Sequence, residues 1–368
     1  MAKKEAKQLY FDFDQYIRQG EPDASISAKH WKTAIGLQAV DGLKPSQYLI
    51  ETARRNIEGE ISMDEVQDLL RSYYANEATR SEIEDNDEEA DKAAANIKKI
   101  LSAQTLAFNT NGYIATHRRI FEGVFKHAGI LRKYDITKKE WVLKGDTVHY
   151  LNWEDLQRAI DYELQQEKDF SYKGLTPEQK VQHICRFTAG LWQIHAFAEG
   201  NTRTTAVFLI QYLRSIGFKV DNGLFADHSW YFRNALVRAN YKNSALGIDY
   251  DFQYLERFFR NLLLGEQNEL KNRYLIINAP DNWNSTQETG KSTQEKGDST
   301  QETEKSTQEI ILDTIKNNPA TTRNQLSAVI GISPDGIKKQ LEKLKKSGII
   351  KHVGPTKGGH WEITSASR

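Results

Sequence analysis

Cysteine is nearly absent from this chain. A single residue, Cys185, stands in 368 positions, which excludes an intrachain disulfide and any zinc site built on cysteines. It fits a reducing compartment, and a lone thiol of this kind reads as a small buried apolar side chain. Net charge is absent too: 50 basic residues balance 50 acidic ones, so no global field points to nucleic acid or membrane, and any such role must rest on local asymmetry. Long apolar runs are missing. The greasiest stretch, around Phe258–Leu264, is broken by Arg260 and Asn261, and none approaches the roughly 20 residues a bilayer span needs. The first seven residues, MAKKEAK, lack the apolar core of a signal peptide. These absences lead to the expectation of a soluble, cytoplasmic protein with no membrane partner. What is present is a 39% hydrophobic fraction over a length suited to two or three domains.

Three breaks divide the chain. An acidic run from Ser81 to Asp91 is too charged for a core and reads as a linker or an exposed helix start. Between Asn284 and Glu309 the tetrapeptide Ser-Thr-Gln-Glu occurs four times, beginning at Ser285, Ser292, Ser299 and Ser306. A seven-residue period invites a coiled coil, but no position of the repeat is apolar and glycine interrupts it twice, so the segment reads as a polar tether. The third break is the polar tail after Ile363. Helical periodicity predicts helices at 94–104, 114–125, 153–166, 177–194, 204–216, 230–240 and 250–264. Segments 131–136 and 148–151, with Gly145-Asp146 between them, predict a β-hairpin.

One nine-residue run concentrates chemistry: His195-Ala196-Phe197-Ala198-Glu199-Gly200-Asn201-Thr202-Arg203. It lies between two predicted helices, so it opens onto a helix N-terminus, where free N–H groups and the dipole favour a phosphate. His195 can take a proton from a hydroxyl. Glu199 offers a carboxylate to Mg²⁺, or simply to the helix dipole. Gly200 lets the backbone approach an anion, and Asn201 can donate its amide to a phosphoryl oxygen or cap the next helix. Arg203 supplies a cationic fork. Phe197 reads as an anchor beside the site.

This run resembles the Fic motif, H-x-F-x-[DE]-G-N-[GT]-R, and the order of a helix bearing His117-Arg118-Arg119-Ile120-Phe121, a hairpin and the motif helices extends the resemblance over roughly residues 92–265. The resemblance implies a mainly α protein: a Fic-type helical core with a short β-hairpin flap, an N-terminal helical unit and a C-terminal winged helix. It also implies transfer of AMP from ATP, with Mg²⁺, to a Ser, Thr or Tyr hydroxyl of a target protein. His195 would be the base, Glu199 the metal carboxylate, and Phe197, Gly200, Asn201, Thr202 and Arg203 the nucleotide site. The flap edge would hold an extended target segment, although a purely structural hairpin explains the same residues. The fuller motif continues to a second arginine that grips the outer phosphates, and here that position is Ala206. Hydroxyls of Thr202, Thr204 and Thr205 could compensate, or another donor could be used.

The domains expected are 1–78, 92–282, a repeat linker 283–308, and 309–364. Apolar periods at 31–40, 48–57 and 63–74 make the first unit helical, and it resembles the small antitoxin partners of Fic toxins. Those partners carry an inhibitory acid in [ST]-x-x-x-E-G; the nearest matches here are Asp41-Gly42 and Glu58-Gly59. The last unit resembles a winged helix-turn-helix. Over residues 309–368 ten Lys or Arg face five acids, and Lys338, Lys339, Lys343 and Lys357 form the candidate DNA-binding face. A different class of function stays open on the same residues: a DNA-binding regulator whose Fic domain senses a nucleotide without catalysis. The sequence leaves the oligomeric state undecided, a homo-oligomer included.

Overall fold

The computed structural model describes residues 13–75 except 19, 85–278 except 104 and 221, and 293–296. In the C-terminal part it describes 311–326 with gaps at 313, 317, 320 and 324, then 334–346, 348–353 and 360–364. The chain forms two compact units, Met1–Gly297 and Asp298–Arg368. Among the described residues no helix is long and apolar enough to cross a membrane.

The first unit is mainly α. Its N-terminal part comprises α1 (Pro22–Gly36) running into a 3-10 turn (Leu37–Asp41), then α2 (Gln47–Ile57) and α3 (Met63–Ala75). Each boundary has a local cause: proline opens α1, the Ser46 hydroxyl caps α2 through Leu49 N–H, and Gly42 ends the 3-10 turn at φ 70°. Next come α4 (Asp85–Ser102), α5 (Thr110–Phe121), strand β1 (Ile136–Lys139), α6 (Leu156–Asp169), α7 (Pro177–Ile194) and α8 (Asn201–Ser215). The short α9 (Asn222–Asp227), α10 (Ser229–Ala239) and α11 (Gln253–Leu264) follow.

The N-terminal helices do not stand apart. Trp31, Leu37, Leu49, Val66 and Leu70 share one hydrophobic cluster with Ile97, Phe121, Trp192, Phe208 and Phe258. Asp91 locks the join. Lying in the acidic run that reads as too charged for a core, it is nevertheless wholly buried. Its carboxylate accepts from Ser46 N–H (2.8 Å), Ser46 Oγ (2.5 Å) and Tyr74 Oη (2.6 Å). Burial raises its pKa to about 6 against those bonds. Asp91→Ala strands three donors, and the expected cost is about 3 kcal/mol in urea denaturation. A loss within about 0.5 kcal/mol of zero, the range of neutral surface changes, contradicts the lock.

The expected hairpin is not there. Residues 148–151 form no strand, because residues 140–146 curl into a tight turn in which Glu140 N–H donates to the Asp146 carbonyl (2.9 Å) and Gly145 N–H returns to Glu140 (3.0 Å). β1 pairs instead with β2 (Thr293–Lys296), antiparallel, Ile136 opposite Lys296 and Lys139 opposite Thr293. Part of the repeat that reads as a polar tether is therefore a strand.

The second unit contains α12 (Pro334–Lys346) and an antiparallel pair, β3 (Ile350–Val353) with β4 (His360–Ile363). Ile311, Ile315, Leu326, Ile337, Leu341, Leu344 and Ile350 form its separate core. The periodicity of Ile337, Leu341 and Leu344 turns one face of α12 inward and leaves Lys338 and Lys345 exposed. Of the remaining candidate DNA contacts, Lys339 and Lys343 lie on α12, with side chains outside the described residues. Lys357 lies outside the described residues altogether.

Candidate active site

α7 and α8 meet in a six-residue turn bounded by two left-handed residues. α7 starts on a reciprocal capping box between Thr176 and Gln179 and stops at His195, φ 49°; α8 starts after Gly200, φ 74°. Gly200 is required at both levels. Its φ disfavours a side chain, and a Cβ there would fall 2.1 Å from Phe121 Cζ. The ring of Phe121 fills the space that the sequence assigned to an approaching anion.

The turn is held from several sides. Arg132, buried, donates Nε to the His195 carbonyl (2.8 Å) and NH1 to the Tyr134 carbonyl (2.6 Å). His117 accepts from Gly129 N–H at Nδ1 (2.8 Å), so its proton sits on Nε2 and is donated to the Glu199 carbonyl (3.0 Å). Burial lowers the His117 pKa to about 3, which keeps that tautomer neutral. Its ring stacks on Phe197 with centroids 3.8 Å apart, so Phe197 is a buried anchor.

Asn201 differs from expectation. Its Oδ1 accepts from Phe197 N–H (2.9 Å) and one Nδ2–H donates to the Phe197 carbonyl (2.7 Å), so the amide clasps the turn. Nor does it cap α8; that position is Gly200. The three threonines are likewise engaged. Thr202 Oγ1 accepts from Trp192 Nε1 (2.9 Å), Thr204 Oγ1 donates to the Gly200 carbonyl (2.9 Å), and Thr205 Oγ1 lies 3.1 Å from Tyr113 Oη. What remains for an anion is the backbone: the first N–H groups of α8 have no intrahelical acceptor.

His195 is buried (3% exposed), and neither ring nitrogen has a hydrogen-bond partner. Tyr150 lies against it with ring centroids 4.0 Å apart, and Tyr150 is fixed through Glu140 (3.1 Å), which is itself paired with buried Arg233 (2.6 Å). Burial first, then the cations Lys138, Arg233 and Arg132, hold the imidazole well below its ordinary pKa of 6.5. It is therefore neutral and able to accept a proton. Glu199 faces Lys138 Nζ at 3.8 Å, and burial raises its pKa while Lys138 lowers it.

Arg203 is not free. Its guanidinium, 1% exposed, packs over the Phe121 ring at 4.7 Å. NH1 donates to Gln38 Oε1 (2.9 Å) and NH2 to Glu89 Oε1 (2.7 Å). Nε lies 2.7 Å from Asp41 Oδ2, an ion pair without hydrogen-bond alignment. Asp41 thus reaches the site and Glu58 does not: Glu58 accepts from Tyr16 Oη and pairs with Arg54 at 3.6 Å. Gln38, Glu89 and Lys138 carried no local signal in the sequence, since each acquires its place only through the packing of the 3-10 turn Leu37–Asp41, α4 and β1 on the turn. No group of three or more His, Cys, Asp or Glu side chains that could hold a metal occurs among the described residues. Glu199 alone still fits Mg²⁺, which commonly takes one or two carboxylates and completes its shell with water and phosphate.

A neutral base must stay unprotonated to work, so a lowered His195 pKa carries activity to lower pH. In a variant freed of Asp41, kcat/KM is expected to stay level from about pH 7.5 through 6.5, with the acid limb below. Lys138→Met removes the cation with the largest effect and should move that limb up. A limb above 6.5 in the variant that keeps Lys138 would contradict this electrostatic reading.

Residues 107–213 match the Fic/DOC family, and residues 306–351 match the winged helix-turn-helix DNA-binding family. The protein adenylyltransferase VbhT of Bartonella schoenbuchensis is 30% identical over 105 residues, 28% of this chain and 21% of that protein. Two solved structures are similar: a Fic family protein from Desulfovibrio desulfuricans (12% identity, 99% of this chain and 95% of that one, TM-score 0.45) and the N-terminal Fic domain of a VirB-translocated effector of Bartonella sp. 1-1C (17%, 55% and 87%, 0.36). At those scores neither carries an argument. The sequence match does: residues 107–213, the stretch that matches the Fic/DOC family, enclose His117, Lys138 and the whole turn from His195 to Arg203, and the stretch that matches the winged helix-turn-helix family follows it.

Proposed function

We propose that this chain is a protein adenylyltransferase that moves AMP from ATP to a hydroxyl of a target protein and is held off by its own N-terminal helices. The observation that carries the reading is His195: a buried, neutral imidazole with two unpartnered nitrogens, at the mouth of a helix N-terminus. The imidazole takes the hydroxyl proton while the N–H groups of α8 and the Arg203 fork stabilise the phosphoryl charge. Mg²⁺, held by Glu199, would neutralise phosphate oxygens. Phosphoryl-type transfer demands positioning and charge more than covalent help, and the clasped turn supplies the positioning.

In the conformation described, Arg203 and Lys138 face three carboxylates, Asp41, Glu89 and Glu199. With all five ionised, that balance repels a polyphosphate, so release of Asp41 is required before the donor binds. The absent arginine at Ala206 leaves the donor to be settled by experiment. Wild type and Asp41→Ala are incubated with Mg²⁺ and each of four α-labelled nucleoside triphosphates in lysate. Label from ATP that is lost in His195→Asn supports the reading; label from another nucleotide alone corrects the donor.

A second reading has its own observation. The occupied Arg203 and the winged-helix match suit a nucleotide-sensing DNA-binding regulator, with Lys338 exposed on α12. No label from any donor, with ATP and DNA binding intact, would favour it. The target protein and the oligomeric state are separate questions.

A further inference from the structure

Among the described residues, buried cations have counter-charges with one exception. Seven lysine and arginine side chains are buried. Lys32, Arg132, Lys138, Arg203, Arg233 and Arg238 each pair with a carboxylate. Lys98, on α4, pairs with none among the described residues. Burial alone acts on it and lowers its pKa to about 8. A charge taken out of water without a partner is costly, so an ammonium in that position calls for an anion.

Lys98 has cationic company. One turn further along α4, Ser102 Oγ donates to the Lys98 carbonyl (2.9 Å) and accepts from His30 Nδ1 (3.2 Å). That leaves His30 Nε2 as an acceptor, and Arg214 NH2 donates to it at 3.4 Å while NH1 donates to the Leu101 carbonyl (3.1 Å). Arg214 has no carboxylate among the described residues either, and burial lowers its pKa too. The buried His30 ring is held at a pKa of about 4, by burial first and then by Arg214 and Lys98. It is neutral and offsets neither cation. His30 and Arg214 line a cavity of about 510 Å³, to which Lys29 and Lys219 are added. Those two lysines are exposed and make no ion pair among the described residues. Asp14 and Asp227, which share the adjoining cavity with Lys29, are both taken by Lys32 at 3.0 Å. The rest of the wall is apolar: Ile17, Ile26 and Val220.

We propose that this cavity binds a small phosphate-bearing molecule with an apolar portion. Lys98, Arg214, Lys29 and Lys219 supply the positive charge, and a guanidinium among ammonium groups suits phosphate oxygens. Ile17, Ile26 and Val220 cover the apolar portion, and the volume lies within the range of small-molecule sites. The site is separate from the reacting turn: Arg214 stands eleven residues beyond Arg203 on α8, about 16 Å along the helix. It nevertheless joins the same three helices. His30 on α1, Lys98 on α4 and Arg214 on α8 gather here, while Asp41 after α1, Glu89 on α4 and Arg203 on α8 meet at the turn. A bound anion therefore ties together the helices that hold Arg203.

The test uses the full chain at about pH 7, where Lys98 is charged, with inorganic phosphate and phenyl phosphate as probes. Binding is read by calorimetric titration, by Tm and by the ring resonances of His30 and His195. Lys98→Met keeps the stem and removes the charge. A second variant, Lys29→Gln with Lys219→Gln, changes exposed side chains only. Both probes are expected to bind wild type, raise its Tm and move the His30 resonance, with phenyl phosphate at least about threefold tighter. Without a probe, Lys98→Met should melt no lower than wild type, because an unpaired buried charge is gone. Its affinity for either probe should nevertheless fall at least about tenfold, as should that of the double variant. Wild-type affinity in both variants overturns the site, as does a shift of His195 without one of His30, or no binding by wild type up to about 10 mM. Lys98→Met melting well below wild type in the absence of a probe makes Lys98 a structural cation and overturns the argument from its missing partner. Equal affinity for the two probes overturns the apolar half of the site.

Discussion

Replacing His195 by asparagine is expected to lower transfer by about 10²- to 10⁴-fold, the usual contribution of a positioned general base. Asparagine is the better choice than alanine for a structural reason. His195 sits at φ 49°, and asparagine tolerates that left-handed region, whereas alanine there adds about 1–2 kcal/mol of backbone strain. The side chain makes no hydrogen bond, so its removal strands nothing else. The turn stays clasped by Arg132, His117 and Asn201, which act on backbone atoms. Nucleotide affinity should therefore change by less than about threefold, as expected of a group that acts on the transition state. Calorimetric titration with ATP and single-turnover labelling separate the two effects. Unchanged labelling in a folded His195→Asn protein would remove the base from the mechanism.

Asp41→Ala should act in the opposite direction, raising both nucleotide affinity and transfer by about 10- to 100-fold. The range follows from the roughly 1–3 kcal/mol that a charged contact of this kind supplies, at 1.4 kcal/mol per factor of ten. Folding should move the other way, because a nearly buried guanidinium loses one of its counter-charges and Tm falls. Gain of activity with loss of stability is a combination that a merely structural Asp41 would not produce. Adding Glu89→Ala should extend the gain, since NH2 of Arg203 is held there, while Glu58→Ala should change nothing at the site. Deleting the N-terminal unit outright is a poorer experiment. Trp31, Leu37 and Leu49 are wholly buried in the same cluster as Ile97 and Phe208, so truncation would bare the core. If Asp41→Ala labels no better than wild type, Arg203 is not the element restrained.

Most of what the sequence made legible is local. Helix α7 was bounded correctly because Thr176-Pro177 opens it and a left-handed residue closes it, both within one turn of chain. The nine residues from His195 to Arg203 announced a base, an acid and a cation by their side-chain chemistry and spacing alone. The same residues misled about who touches what. Asn201 read as a phosphate donor or a helix cap, and its clasp on Phe197 was not legible, because that partner, a backbone, comes into reach only when the turn closes. Residues 148–151 alternate like a strand, but strand pairing is a long-range choice, and β2 was 154 positions beyond Lys139.

By itself, then, the sequence determined the chemical inventory, the helical periods and the family of the core, since each is written in neighbouring residues. Only the tertiary structure decided what holds Arg203. Gln38 and Asp41 come from the 3-10 turn after α1 and Glu89 from α4, and nothing in those segments names Arg203 as their partner. The physical reason is the cost of burying a guanidinium: a charge removed from water must find counter-charges, and packing brings them from wherever in the chain they lie.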